Sequence, residues 1–172
     1  MELKITNKIR VVLNQKKLEN YPEKRLEFYT NYAIIVVETL RKPLFQKFLN
    51  WIIKLEKIEK RAIKDIQVRV FPFKKDNGRS VAGRCNSSEG VILIFPKKRS
   101  FFQKKLQSHE NGKVGDYLKC RARATLIHEL LHIKYKGNES KVRNLTKKYF
   151  NKFIQHQNSD IQKMYTIQRG CV

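Results

Sequence analysis

Two histidines four residues apart, with a glutamate beside the first, stand in the run His128-Glu129-Leu130-Leu131-His132. On a helix, residues four apart lie one turn above each other, so both imidazoles can direct a ring nitrogen at one cation. Zn2+ takes N, O or S ligands at ~2.0–2.3 Å, and a reactive site supplies three from the protein and leaves the fourth position to water. Glu129 can then accept a proton from that water and pass it to a leaving amine, while the cation lowers the water's pKa and polarises a carbonyl. With only four histidines in 172 residues, coincidence is a poor account of this spacing.

The surrounding residues indicate what positions the motif. Ala122, Ala124, Leu126, Ile127, Leu130, Leu131 and Ile133 make the segment apolar around much of a helix, which predicts a buried helix from about Asp116 to Tyr135. Two histidines and a carboxylate in such a helix need partners, because an unpaired buried charge is costly. Lys136-Gly137-Asn138-Glu139 reads as a helix end, with Gly137 at the left-handed cap and Asn138 as N-cap of a last helix to about Gln155. That corner can return Glu139 toward the histidine pair as third ligand. His156 and Asp160 are the competitors, each needing a longer return path.

Upstream, Leu26, Tyr29, Ala33, Val36, Val37 and Leu40 recur at helical spacing after Pro22. Lys42-Pro43 interrupts that helix, and Leu44, Phe48, Ile52, Leu55 and Ile58 form the stripe of a second. From Ile66 the pattern changes to short runs: 66–73, 80–85 and 91–95, separated by Asp76-Asn77-Gly78 and Ser87-Ser88-Glu89-Gly90. This predicts a three-stranded antiparallel meander. Residues 96–113, with Lys97-Lys98-Arg99 and Lys104-Lys105, show no clear period and read as a basic loop. The expected class is α+β, with a helical region over 1–64 packed on or appended to a domain over 65–172.

Composition narrows the setting. Cys85, Cys120 and Cys171 are odd in number and far apart, which fits a reducing compartment and a cytoplasmic location. The most apolar stretches, 33–37 and 91–95, are far short of the ~20 residues of a membrane span. A net charge of +23, from 38 Lys and Arg against 15 Asp and Glu, would attract polyanions, so nucleic acid is a candidate partner.

The stretch Thr125-Leu126-Ile127-His128-Glu129-Leu130-Leu131-His132-Ile133-Lys134-Tyr135, followed by Asn138-Glu139 and a helix, resembles the small zincin metallopeptidases, especially the SprT-like group and the minimal gluzincins. The close likeness covers about residues 122–150. It implies a zincin-like fold, Zn2+ on His128, His132 and Glu139, Glu129 as general base, and a protein or peptide substrate. SprT-like proteins use a third histidine where Glu139 stands. The likeness also implies an edge strand beside the cleft, for which Val91, Ile92, Leu93, Ile94 and Phe95 are the candidate, and an oxyanion stabiliser, for which Tyr149 and Arg143 are candidates. The expected activity is zinc-dependent hydrolysis of peptide bonds; the alternative is a basic nucleic-acid-binding protein whose zinc site is structural or inactive.

Overall fold

A computed structural model describes residues 5–73, 78, 80–107 and 111–169 of the chain, with side chains as far as residue 158 except at 105, 107, 111 and 112. The chain is α+β. Among the described residues there are six α-helices and a four-stranded mixed sheet: β1 (Ile9–Val12), α1 (Gln15–Leu18), α2 (Glu23–Arg41), α3 (Pro43–Leu55), β2 (Asp65–Arg69), β3 (Gly83–Asn86), β4 (Val91–Ile94), α4 (Arg99–Gln107), α5 (Asn111–Tyr135) and α6 (Glu139–Arg169).

The sheet order is β1-β2-β4-β3, with β1, β2 and β4 parallel and β3 antiparallel to β4. This corrects the expected antiparallel meander in two ways. A strand, β1, comes from the stretch read as helical, and its Ile9 is fully buried against Ile66 in the register with β2. Only β3 and β4 form a hairpin, and β4 then inserts between β3 and β2 rather than adding at the edge. The hairpin turn works through Gly90, whose φ is +70°, a conformation that L side chains rarely adopt. A Cβ there would also meet the Ala62 carbonyl oxygen at 2.2 Å, so the turn is locked against the chain entering β2.

Helix α2 follows Pro22 and buries Tyr29, Tyr32, Ala33, Val36, Val37 and Leu40, the expected face. It stops at Lys42, which is extended before Pro43, and Pro43 opens α3 at a position where its missing N–H costs nothing. The buried stripe of α3 is Phe45, Leu49, Ile52 and Ile53, rotated from the expected one: Leu44 and Leu55 are exposed. The basic segment read as a loop contains α4, held by Phe102, which is buried against Tyr32 with ring centroids 5.7 Å apart. Helix α5 lies on the sheet, flanked by α2 and α6, and buries Leu118, Ala122, Leu126, Ile127, Leu130 and Leu131. Each large aliphatic side chain so buried contributes ~1.5–3 kcal/mol, which makes α5 the central beam of the core. No helix among the described residues is long and apolar enough to cross a membrane.

Candidate metal centre

The α5–α6 corner is tighter than the sequence predicts. Lys136, rather than Gly137, takes the left-handed conformation, with φ +44°. A non-glycine residue held there costs on the order of 1 kcal/mol. Its consequence is local: the Lys136 carbonyl turns back and receives a hydrogen bond from His132 Nδ1. Asn138 then caps α6 as expected, its Oδ1 accepting from the Lys141 backbone N–H at 3.1 Å, and Glu139 enters the first turn of α6.

His128, His132 and Glu139 converge. The two Nε2 atoms lie 3.2 Å apart, and Glu139 sets Oε2 3.2 Å from His132 Nε2 and Oε1 3.6 Å from His128 Nε2. What these atoms can do follows from the other nitrogen of each ring. A carbonyl only accepts, so His132 carries its proton on Nδ1 toward Lys136. Thr146 Oγ1 gives its single proton to the Val142 carbonyl at 2.7 Å, and is therefore the acceptor from His128 Nδ1 at 3.3 Å. In the neutral imidazoles both Nε2 lone pairs thus face inward, joined by carboxylate oxygens. With the rings in that form, the three residues present a donor set that could hold a metal ion.

The donor set fits zinc on distance as well as chemistry. Tetrahedral bonds of ~2.0–2.1 Å give ligand–ligand edges of about 3.3 Å, and the separations of 3.2, 3.2 and 3.6 Å bracket that value. The orienting contacts of Thr146 and Lys136 are the outer partners that metal-binding histidines require. Burial lowers the His128 pKa, against the pull of Glu139, and so keeps the ring in the neutral form that ligates. The Glu139 carboxyl is held below its ordinary range, first of all by a 2.7 Å hydrogen bond from Arg143 Nε.

Glu129 lines the same cleft, against strand β3. It is 6% exposed, and burial pushes its carboxyl up to about 7; the Cys85 backbone N–H donates to it. Strand β3 can pass this close only because residue 83 is glycine. A Cβ there would sit 2.7 Å from Glu129 Cγ and Oε1 and from Thr125 Cγ2. Cys85 itself is no nucleophile: burial, then the Glu129 charge, raises its thiol to about 12. A cleft of about 940 Å³ opens here, lined by His128, Glu129, His132, Glu139, Arg143 and β3.

The remaining candidates separate. Arg143 lines the cleft at its rim. Tyr149 does not reach it: the ring is buried and the hydroxyl donates to Glu56. Residues Val91, Ile92, Leu93, Ile94 and Phe95 cannot act as the edge, because β4 is hydrogen-bonded on both sides; the edge beside the cleft is β3. His156 lies seventeen residues beyond Glu139 on α6, about 25 Å along the axis, and is no ligand. The side chain of Asp160, and Cys171 altogether, lie outside the described residues. Thr146 and Gly83 went unread, although Thr146 was within reach: Glu139, Arg143 and Thr146 follow one helical face at spacings of four and three. Comparison of the chain with protein families, with curated proteins and with solved structures finds no match.

Proposed function

We propose that the chain is a zinc-dependent peptidase of zincin-like build. The observation that carries this reading is the inward convergence of three lone-pair donors at zinc-like separations, with both histidine tautomers fixed from outside. His128, His132 and Glu139 would hold the ion. When bound, zinc supplies a Lewis acid for a carbonyl oxygen and lowers the pKa of water.

The protein's own groups supply the rest. Glu129, buried beside the cleft with a carboxyl near neutrality, is suited both to take a proton and to return it. Hydrogen bonding to the Cys85 N–H and the close cover of Gly83 restrict where its oxygens can point. Strand β3 pairs on one side only among the described residues, so its outer edge offers main-chain groups to an extended peptide, which would align a scissile bond with Glu129. Arg143, at the rim, offers a cation to negative charge developing on that bond.

The test pairs metal content with activity. Wild-type protein dialysed exhaustively after zinc loading should retain one zinc per chain by elemental analysis, and Glu139→Ala should lose it. Glu129→Gln should keep zinc while cleavage of a casein-type substrate falls by about 100-fold or more. No zinc in the wild type, or full activity in Glu129→Gln, overturns the proposal.

A further inference from the structure

The sheet has two unlike faces. Helices α2 and α5 cover one, where Ile9, Ile66, Val68, Ile92 and Ile94 are buried. The strand registers place Arg10, Gln67, Arg69, Arg84, Asn86 and Leu93 on the other. Over that second face lies a cleft of about 740 Å³, whose lining includes Gln67, Arg69, Arg84, Leu93, Lys17 and Phe73. A second hollow of about 430 Å³ shares Lys17 and Phe71 with it and adds Arg25, Lys98 and Arg99 beside Tyr21 and Tyr29.

Charge sets the kind of occupant. Six cations line this continuous surface, Lys17, Arg25, Arg69, Arg84, Lys98 and Arg99, against the single acid Glu89. Among the described residues none of the six makes an ion pair, whereas Arg10 on the same face is neutralised by Asp65 at 2.6 Å. Unpaired like charges around a concave surface raise its potential and favour an anionic polymer. The cations alternate with flat apolar groups: Phe73 is 39% exposed and stacks on Phe95 with centroids 5.3 Å apart, and Phe71 packs on Tyr21 at 4.8 Å.

The form of the polymer follows from what the surface lacks. A polypeptide docks on a sheet mainly through main-chain hydrogen bonds at an edge. Here the main-chain groups of β2 and β4 are used by neighbouring strands, and the face presents only side chains. Cations for phosphates, amides for base edges and exposed rings for stacking are what a single strand uses; a duplex hides its base faces. We infer that the open sheet face, from Arg84 across Arg69 and Phe73 to Lys17 and Arg99, is a binding site for single-stranded nucleic acid. The site adjoins the cleft of the candidate metal centre, with Phe73 and Arg84 lining both, but includes none of His128, Glu129, His132 and Glu139 and does not rest on the hydrolytic reading.

The test uses the full chain in chelator, so that failure of the metal proposal cannot affect it. Fluorescence anisotropy with a labelled oligothymidylate of ~20 nucleotides is compared with the matched duplex and with polyglutamate as competitor. The double variant Arg69→Gln/Arg84→Gln should bind about tenfold or more weakly and with a salt slope lower by about one to two, and Phe73→Ala about fivefold or more weakly. A charge-matched control away from the clefts, Lys42→Gln/Lys47→Gln, should lose no more than about threefold. Arg69→Lys/Arg84→Lys keeps the charge should the glutamine pair lower the thermal midpoint. Equal losses in cleft and control variants would reduce the effect to net charge and overturn the site. Duplex bound as tightly as single strand, or polyglutamate displacing it with no dependence on Phe73, overturns the single-strand assignment.

Discussion

Two clusters built on carboxylates sit within a few residues of each other on α5 and α6, and they are opposites. At the candidate metal centre the side chains of His128, His132 and Glu139 meet across 3.2 to 3.6 Å. One helical turn away, the Glu56 carboxylate at the end of α3 collects donors: the Tyr135 hydroxyl at 2.6 Å, Lys134 Nζ at 3.3 Å and the Tyr149 hydroxyl, while Lys134 also reaches the Glu56 carbonyl at 2.6 Å. Glu56 is satisfied by the protein itself; burial would raise its carboxyl, but the three donors together hold it below its ordinary range. A carboxylate ringed by donors is a structural tie, whereas the His128, His132 and Glu139 group is one that could hold a metal ion. The tie fastens the end of α3 to the last turn of α5 and, through Tyr149, to α6, and so braces the corner between the two helices that carry His128, His132 and Glu139.

The sharpest way to break this contrast is to remove each carboxylate and ask what is lost. Glu56→Ala leaves the buried Tyr149 hydroxyl and the half-buried Tyr135 hydroxyl without their acceptor, while Lys134 keeps the residue 56 carbonyl, and should lower unfolding stability by ~2 kcal/mol in chemical denaturation, even in chelator. Glu139→Ala, whose side chain is 46% exposed, should cost less than ~1 kcal/mol in chelator and show its effect only when zinc is offered. If Glu139→Ala destabilises the metal-free protein as much as Glu56→Ala, the two clusters are of one kind and the comparison fails.

The convergence of His128, His132 and Glu139 is far more legible in the sequence than the tie because it is local. His128 to Glu139 spans about two turns of α5 and one corner, and helical period plus the Asn138 cap suffice to bring these side chains together. Glu56, Tyr135 and Tyr149 meet only through the packing of three helices, which no spacing encodes. Tyr149 was misplaced for a reason the period contains: at 100° per residue it lies about 80° round α6 from Glu139, while Thr146 lies within about 20°. The sheet followed the same rule. The hairpin of β3 and β4 is local and was read correctly, with its turn at 87–90. The parallel pairings of β1 with β2 and of β2 with β4 join distant segments, and four-residue strands such as Ile9–Val12 are too short for alternation to declare them.

A finer test asks whether the outer contacts of the metal centre act on the metal or on the fold. Thr146→Val removes the acceptor for His128 Nδ1–H and keeps the side-chain shape. Zinc affinity, measured by competition with a chromophoric chelator, should fall about tenfold, while thermal stability in chelator changes little. Equal zinc affinity in both proteins would mean that Thr146 only caps its own helix through Val142.

The smallest effect separates the clusters by acid. Glu56 has a folded pKa below its ordinary value of 4.5, so the folded state binds its proton less readily than the unfolded chain does. Its stabilisation is therefore complete above the ordinary carboxylate value and is lost as pH falls through the depressed folded value. In chelator, wild-type protein should hold its denaturation midpoint from neutrality down to about pH 5 as far as this group contributes, then lose it more steeply than Glu56→Gln, which has no proton to gain there. The difference between the two curves isolates the tie from the other carboxylates. Parallel curves through that range would show that the donors around Glu56 contribute no charge-dependent stability, and the tie would reduce to packing of Tyr135 and Tyr149.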